Sequence, residues 1–254
     1  MSHAYLVVLM PQDVIRDEAE TRADFVDNRK APVRVKSYID EKMSYYDEGL
    51  SVPEYDTPCI CIGHAAREAA AADVVAELGE FDAVRCAYHA LPAEEKTDEN
   101  WKAMSAPWIE REKELIAAHP DKDKPTADCT ECHGTGVYKT TLNPNRKWDW
   151  YVIGGRYNGL VCRSPRDSED RFNFGEEFHL VKENMIKVSK LLPLTPNDAP
   201  FAILTPDGRW HERGRLGWWG SIDEKETSED WKVKAVTLMA QHEDCYAVGV
   251  DYHI

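Results

Sequence analysis

Six consecutive apolar or aromatic positions, Tyr5 to Met10, end at Pro11 and predict a buried strand. Asp13 then supplies an N-cap for a polar helix over residues 13–28. Val35, Ile39, Met43 and Tyr46 recur at helical spacing, yet "PVRVKSYI" starts equally well as a strand, and both readings stay open. "CICIGH" is a short apolar run broken by Gly63, followed by an Ala-rich helix over 64–78 that Gly79 stops. Two more helices are predicted, one over 93–104 and one that starts at Ser105-Ala106-Pro107 and ends before Pro120. A charged, Pro-containing loop, "HPDKDKPTAD", leads to Cys129.

From Val137 the pattern changes to strands and turns: "VYKTT", an "NPN" turn, then "KWDWYVI", ended by Gly154-Gly155. A helix is expected over 183–192, and a hairpin around Pro-Asp-Gly in "FAILTPDGRWHERG". Trp231, Ala235, Leu238 and His242 mark a helix capped by Thr227 or Ser228. "CYAVGVDYHI" alternates as a strand that can pair with the first one. The sum is an α+β fold with a largely antiparallel sheet, in one domain over 1–254. Its helix-rich part spans 1–128 and its strand-rich part 129–254. Regular βαβ alternation is missing, which argues against a doubly wound nucleotide fold.

Charge narrows the function. With 46 acidic against 31 basic residues, the formal net charge is -15, which removes general nucleic-acid binding, since that needs a basic footprint on phosphate. Local arginines do cluster, at 156, 163 and 166 and at 209, 213 and 215. No apolar segment approaches bilayer length, so no membrane partner is expected. Seven cysteines give no even disulfide framework, and the expected location is the cytoplasm with reduced thiols.

Cys129 and Cys132 form a C-x-x-C turn that aims two thiolates at one point, with Gly134 and Gly136 letting the backbone curl around it. Cys59 and Cys61 alternate along an extended segment and complete four thiolates; as plain buried hydrophobes they would instead be core. His64 and His133 are reserve ligands, and Cys86, Cys162 and Cys245 read as core. Four thiolates leave no open position, so the expected Zn2+ is structural. It would fasten the helical half to the strand "KWDWYVI". The "CxxCHGTG" stretch resembles one arm of the zinc-binding repeats of DnaJ-type chaperones; that family carries four arms, so chaperone function is not implied.

Five of the eight tryptophans fall in "NPNRKWDWYVIGGRYNG" and "PDGRWHERGRLGWWG". Trp148 and Trp150 are expected on one strand face, Asp149 and Tyr151 on the other. Together with the C-x-x-C-x-G-T-G stretch, these motifs resemble a family of uncharacterised bacterial and phage proteins over residues 129–254. The resemblance implies a shared fold and no reaction.

On physical grounds Asp149, Arg156, His211 and Glu212 are candidates for acid–base chemistry on an anionic ligand. Trp148, Trp150, Tyr157, Trp218 and Trp219 would wall the pocket, and Asp251 and His253 share a face of the last strand and join it. The plainer account makes the tryptophans core and the charges paired bridges. The expected ligand is a small anionic or nucleotide-like molecule. The alternative is a non-enzymatic acidic protein that binds a partner protein. No nucleophile elbow, Walker loop or dinucleotide fingerprint is present, and His211-Glu212 lacks the second histidine of a metalloprotease motif.

Overall fold

Strand β1 (His3–Met10) is the axis of the structure, a computed structural model describing residues 3–15, 33–162, 184–191, 199–216, 222–224 and 227–254. The chain divides into two units: Met1–Val52 with Leu142–Ile254, and Pro53–Thr141. The division does not coincide with residue 129, where the sequence pattern turns from helices to strands.

In the first unit β1 pairs antiparallel with β10 (Tyr246–His253) over its full length, from His3 opposite His253 to Met10 opposite Tyr246. The other side of β1 pairs in parallel with β6 (Ala202–Leu204), which returns antiparallel into β7 (Trp210–Glu212) through the Pro-Asp-Gly turn. The far side of β10 carries β4 (Trp150–Ile153) and β5 (Met185–Lys187) along successive stretches. The sheet is therefore mixed but mostly antiparallel. Apart from this sheet, β8 (Gly214–Leu216) pairs antiparallel with β9 (Ile222–Glu224).

Strand alternation sends even-numbered residues of β1 to one face and odd-numbered ones to the other. Leu6, Val8 and Met10 pack with Val35, Ile39 and Met43 of helix α1 (Val33–Ser44). That settles the open reading of this segment in favour of helix: three apolar side chains four residues apart need a helical surface to reach one sheet face. Val7, Leu9, Ile203 and Ala247 pack with Trp231, Ala235 and Met239 of helix α6 (Ser228–Ala240). Thr227 caps α6 by accepting the Asp230 N–H, as expected.

The second unit holds helices α2 (His64–Leu78), α3 (Phe81–His89) and α4 (Asp98–Ala118) between β2 (Tyr55–Pro58) and β3 (Val137–Thr140). β2 and β3 pair antiparallel, Tyr55 opposite Thr140. Helix α2 has the expected bounds, ending at Gly79, while α3 was not foreseen. The two helices expected at 93–104 and 105–119 are one, since α4 runs through Pro107 from its Thr97 cap.

Helices are not confined to the N-terminal half, because α6 and the single turn α5 (Val188–Leu191) lie beyond it. The helix expected over 183–192 is instead β5 followed by α5: Lys187, Ile186 and Met185 pair with β10, and this pairing outweighs the local preference. The helix expected over 13–28 falls largely outside the described residues, of which Gln12–Val14 form a 3-10 turn. Cys245 is buried and Cys162 half-buried as expected, but Cys86 is exposed on α3. No helix among the described residues is long and apolar enough to cross a membrane.

Candidate functional site

Among the described residues, two side-chain clusters bring together groups capable of chemistry. In the second unit, the Sγ atoms of Cys59, Cys61, Cys129 and Cys132 all lie within 4.8 Å of one another. Cys59 is 3.6 Å from Cys129 and Cys61 is 3.4 Å from Cys132. A tetrahedral ion with metal–sulfur bonds of ~2.3 Å holds its thiolates ~3.8 Å apart, whereas a disulfide brings sulfurs to ~2.05 Å. The spacing matches the former, and the four residues could hold a metal ion.

Cys59 and Cys61 reach this point by a route different from the extended segment expected. β2 stops at Pro58, and residues 59–63 turn, with the Ile62 N–H donating to Cys59 O and the His64 N–H to Cys61 O. The turn is braced by Arg67 of α2, whose guanidinium donates to the carbonyls of Ile60 and Ile62 at 2.7 and 2.8 Å. Gly63 leaves the turn at φ 71°, where an added Cβ would lie 2.4 Å from the Lys122 carbonyl, so only glycine fits.

On the other arm the Gly136 N–H donates to Cys132 Sγ at 3.3 Å, the kind of donor that steadies a thiolate. Burial opposes ionisation of Cys132, but hydrogen bonds from the Cys61 thiol and the Gly136 N–H outweigh it and bring the thiol to about 7. Burial pushes Cys61 up to about 12. His64 pairs with Glu68 at 3.2 Å, and neither His64 nor His133 joins the four-cysteine group. All four cysteines belong to Pro53–Thr141, and the strand of Trp150 belongs to the other unit. The cluster therefore brings together two arms of its own unit.

The second cluster lies on the β1–β10–β4 face of the first unit. Register sets His3 opposite His253, and His253 opposite Trp150, so three rings stand side by side. His253 Nδ1 is 2.6 Å from Asp149 Oδ1, and His3 Nδ1 is 2.9 Å from Asp251 Oδ1. The imidazole centroids are 5.0 Å apart. Trp150 stacks on His253 at 5.4 Å and 15° and meets His3 edge-on at 5.1 Å. Both histidine side chains are only 6% exposed, whereas Asp149 is 43% exposed and marks the solvent side.

His253 Nε2 is buried and has no hydrogen-bond partner among the described residues. Burial holds the His3 pKa below its usual value, with Arg156 and His253 adding to the effect and Asp251 opposing it. The double glycine makes the close approach its sequence suggested. Gly155 sits at φ 52°, a Cβ there would come within 2.6 Å of Asp251, and the Arg156 N–H donates to Asp251 Oδ2 at 3.0 Å. The Tyr157 hydroxyl donates to the His3 carbonyl at 3.4 Å.

The structure thus brings together Asp149, Trp150, Arg156, Tyr157, Asp251 and His253, and adds His3. It does not bring in His211 or Glu212. His211 shares the face but lies three strands over and four residues along from His253, about 20 Å away at ~4.8 Å per strand and ~3.3 Å per residue. Glu212 points to the opposite face, where it accepts from Lys147 at 2.8 Å and from the Trp210 indole at 3.1 Å. Trp148 also departs from its expected face: β4 starts only at Trp150, and the Trp148 indole donates to the Met43 carbonyl and packs on Tyr151. Asp149, outside the strand alternation for the same reason, swings to His253. Trp218 and Trp219 lie outside the described residues. His3 was legible through the strand register, since a full-length antiparallel pair sets it across from His253.

Comparison with protein-family models, with curated proteins and with solved structures finds no match.

Proposed function

We propose that the protein is a zinc-stabilised binder of a small anionic or nucleotide-like ligand, with the ligand held at the His3, Asp149, Trp150, Asp251 and His253 cluster. The zinc reading rests on the donor set: four thiolates at tetrahedral spacing suit Zn2+, and with no ligand position left open the ion is structural. The ligand reading is carried by His253, whose Nε2 is buried without a partner among the described residues while its Nδ1 is held by Asp149. Trp150, 40% exposed, offers a flat aromatic surface beside it, and the Arg156 charge acts on His3.

AMP is the test ligand. A rise in melting temperature with AMP, lost in Arg156→Ala with the fold intact, supports the reading; no response to AMP or inorganic phosphate sinks it. A second reading, an acidic interaction protein, draws on Ile60, which is 88% exposed at the tip of the cysteine turn. Under that reading one defined partner is recovered by the wild type and lost by Ile60→Asp.

A further inference from the structure

The two histidines are built alike, and one base would not need two such pairs. Each Nδ1 faces its own carboxylate, which fixes the tautomer carrying its proton on Nδ1 and stabilises the imidazolium when it forms. Each ring thereby turns Nε2 into the working nitrogen. Two imidazoles 5.0 Å apart, each with its own carboxylate, offer an acid and a base side by side. That is what a reaction needs when one proton must be removed and another delivered at a single centre.

We infer that His3 and His253 form an acid–base couple that hydrolyses a small phosphodiester of the nucleoside 2′,3′-cyclic phosphate class, an inference that rests on the ligand reading above. Neutral His3 Nε2 takes a proton from water as the water oxygen bonds to phosphorus. The bond from phosphorus to one ribose oxygen breaks, and protonated His253 Nε2 donates its proton to that oxygen. The product is a nucleoside monophosphate, and proton exchange with solvent resets the pair. The charge of Arg156, which acts on His3, would balance the phosphate, and the exposed Trp150 ring would stack on the base. A net charge of -15 disfavours a long polyanion and is compatible with a small diester. The lowered pKa of His3 fits the role of the neutral partner.

The experiment gives the zinc-loaded full chain 2′,3′-cyclic AMP and bis(p-nitrophenyl) phosphate, with AMP binding measured in parallel. The expected result is one regioisomer of AMP from the cyclic substrate, with kcat lowered about 10²–10³-fold in His3→Gln and in His253→Gln at similar KM. On bis(p-nitrophenyl) phosphate, whose leaving group needs no proton, His253→Gln loses far less activity than His3→Gln. If either variant fails to fold, Asp149→Asn and Asp251→Asn take its place and are expected to lower kcat in the same pattern. Equal losses on both substrates overturn the division of roles. AMP binding without turnover overturns the inference and leaves the ligand reading standing, whereas absence of both overturns the two together.

Discussion

Replacing Cys61 by serine asks how much of the second unit rests on its four-cysteine cluster and the zinc proposed there. The fully buried aliphatic side chains of α2 are Ala66, Ala70 and Val74. At ~0.8 kcal/mol per buried methyl group and ~2 for a valine, they contribute only about 3–4 kcal/mol. A half-buried aromatic group, Phe81, Tyr88, Trp101 and Trp108, adds contacts at centroid distances of 5.0–5.9 Å. A structural zinc contributes about 10–16 kcal/mol in small zinc domains, so a zinc ion held as proposed would outweigh the aliphatic core. Removing one thiolate of four is then expected to cost about 3–4 kcal/mol, or a few hundred-fold in zinc affinity. The assay pairs zinc content after a chelator challenge with circular-dichroism melting and mass-mapped proteolysis of the whole chain. Cys61→Ser should lose its zinc, gain an early melting step, and be cut within 53–141 while the sheet survives. A wild type that holds no zinc after growth with it, or a Cys61→Ser protein indistinguishable from wild type in all three measurements, refutes the reasoning.

Three further outcomes are expected. Trp231→Ala removes a side chain 2% exposed whose indole donates to the Pro200 carbonyl at 2.7 Å, and should cost about 4 kcal/mol in urea unfolding. Gly155→Ala places a Cβ at φ 52° against Asp251, and should cost about 1–2 kcal/mol from the backbone alone and also disturb the His3 pair, read by the imidazole signals in NMR. His3 and His211 both have folded pKa values below 6.5, chiefly through burial, so the unfolded chain binds more protons as pH falls. The urea midpoint should drop from pH 7.5 to 5.5, and drop less in the His3→Gln, His211→Gln double variant. Carboxylates held low, such as Asp207, act only further into acid.

The frame of the fold was legible because its signals are local. An unbroken apolar run gave β1, alternation gave β10, and Gly79 and Thr227 marked helix ends. The C-x-x-C turn and its C-x-C partner were legible because thiolate spacing is nearly a geometric code. What escaped depended on register and on faces. Alternation was extended back from Trp150 to Trp148, but the chain there is no longer strand, so Trp148 and Asp149 each went where the local pairing sent them. His211 and Glu212 shared a dense motif with tryptophans, yet motif density says nothing about which strand a residue rides on. Pairing of distant segments, not composition, separates them from His253 by three strands.

The pairing of Tyr55 with Thr140 has an architectural consequence. It brings the first and last strands of Pro53–Thr141 side by side, so the chain leaves the sheet-bearing unit and returns to it through neighbouring points. A segment with that property is a cassette. It can be exchanged for a short turn without asking β1, β10 or β4 to find new partners, and it carries its own four-cysteine clasp with it. The sheet with its paired histidines and the insert with its four cysteines are therefore free to change at separate rates.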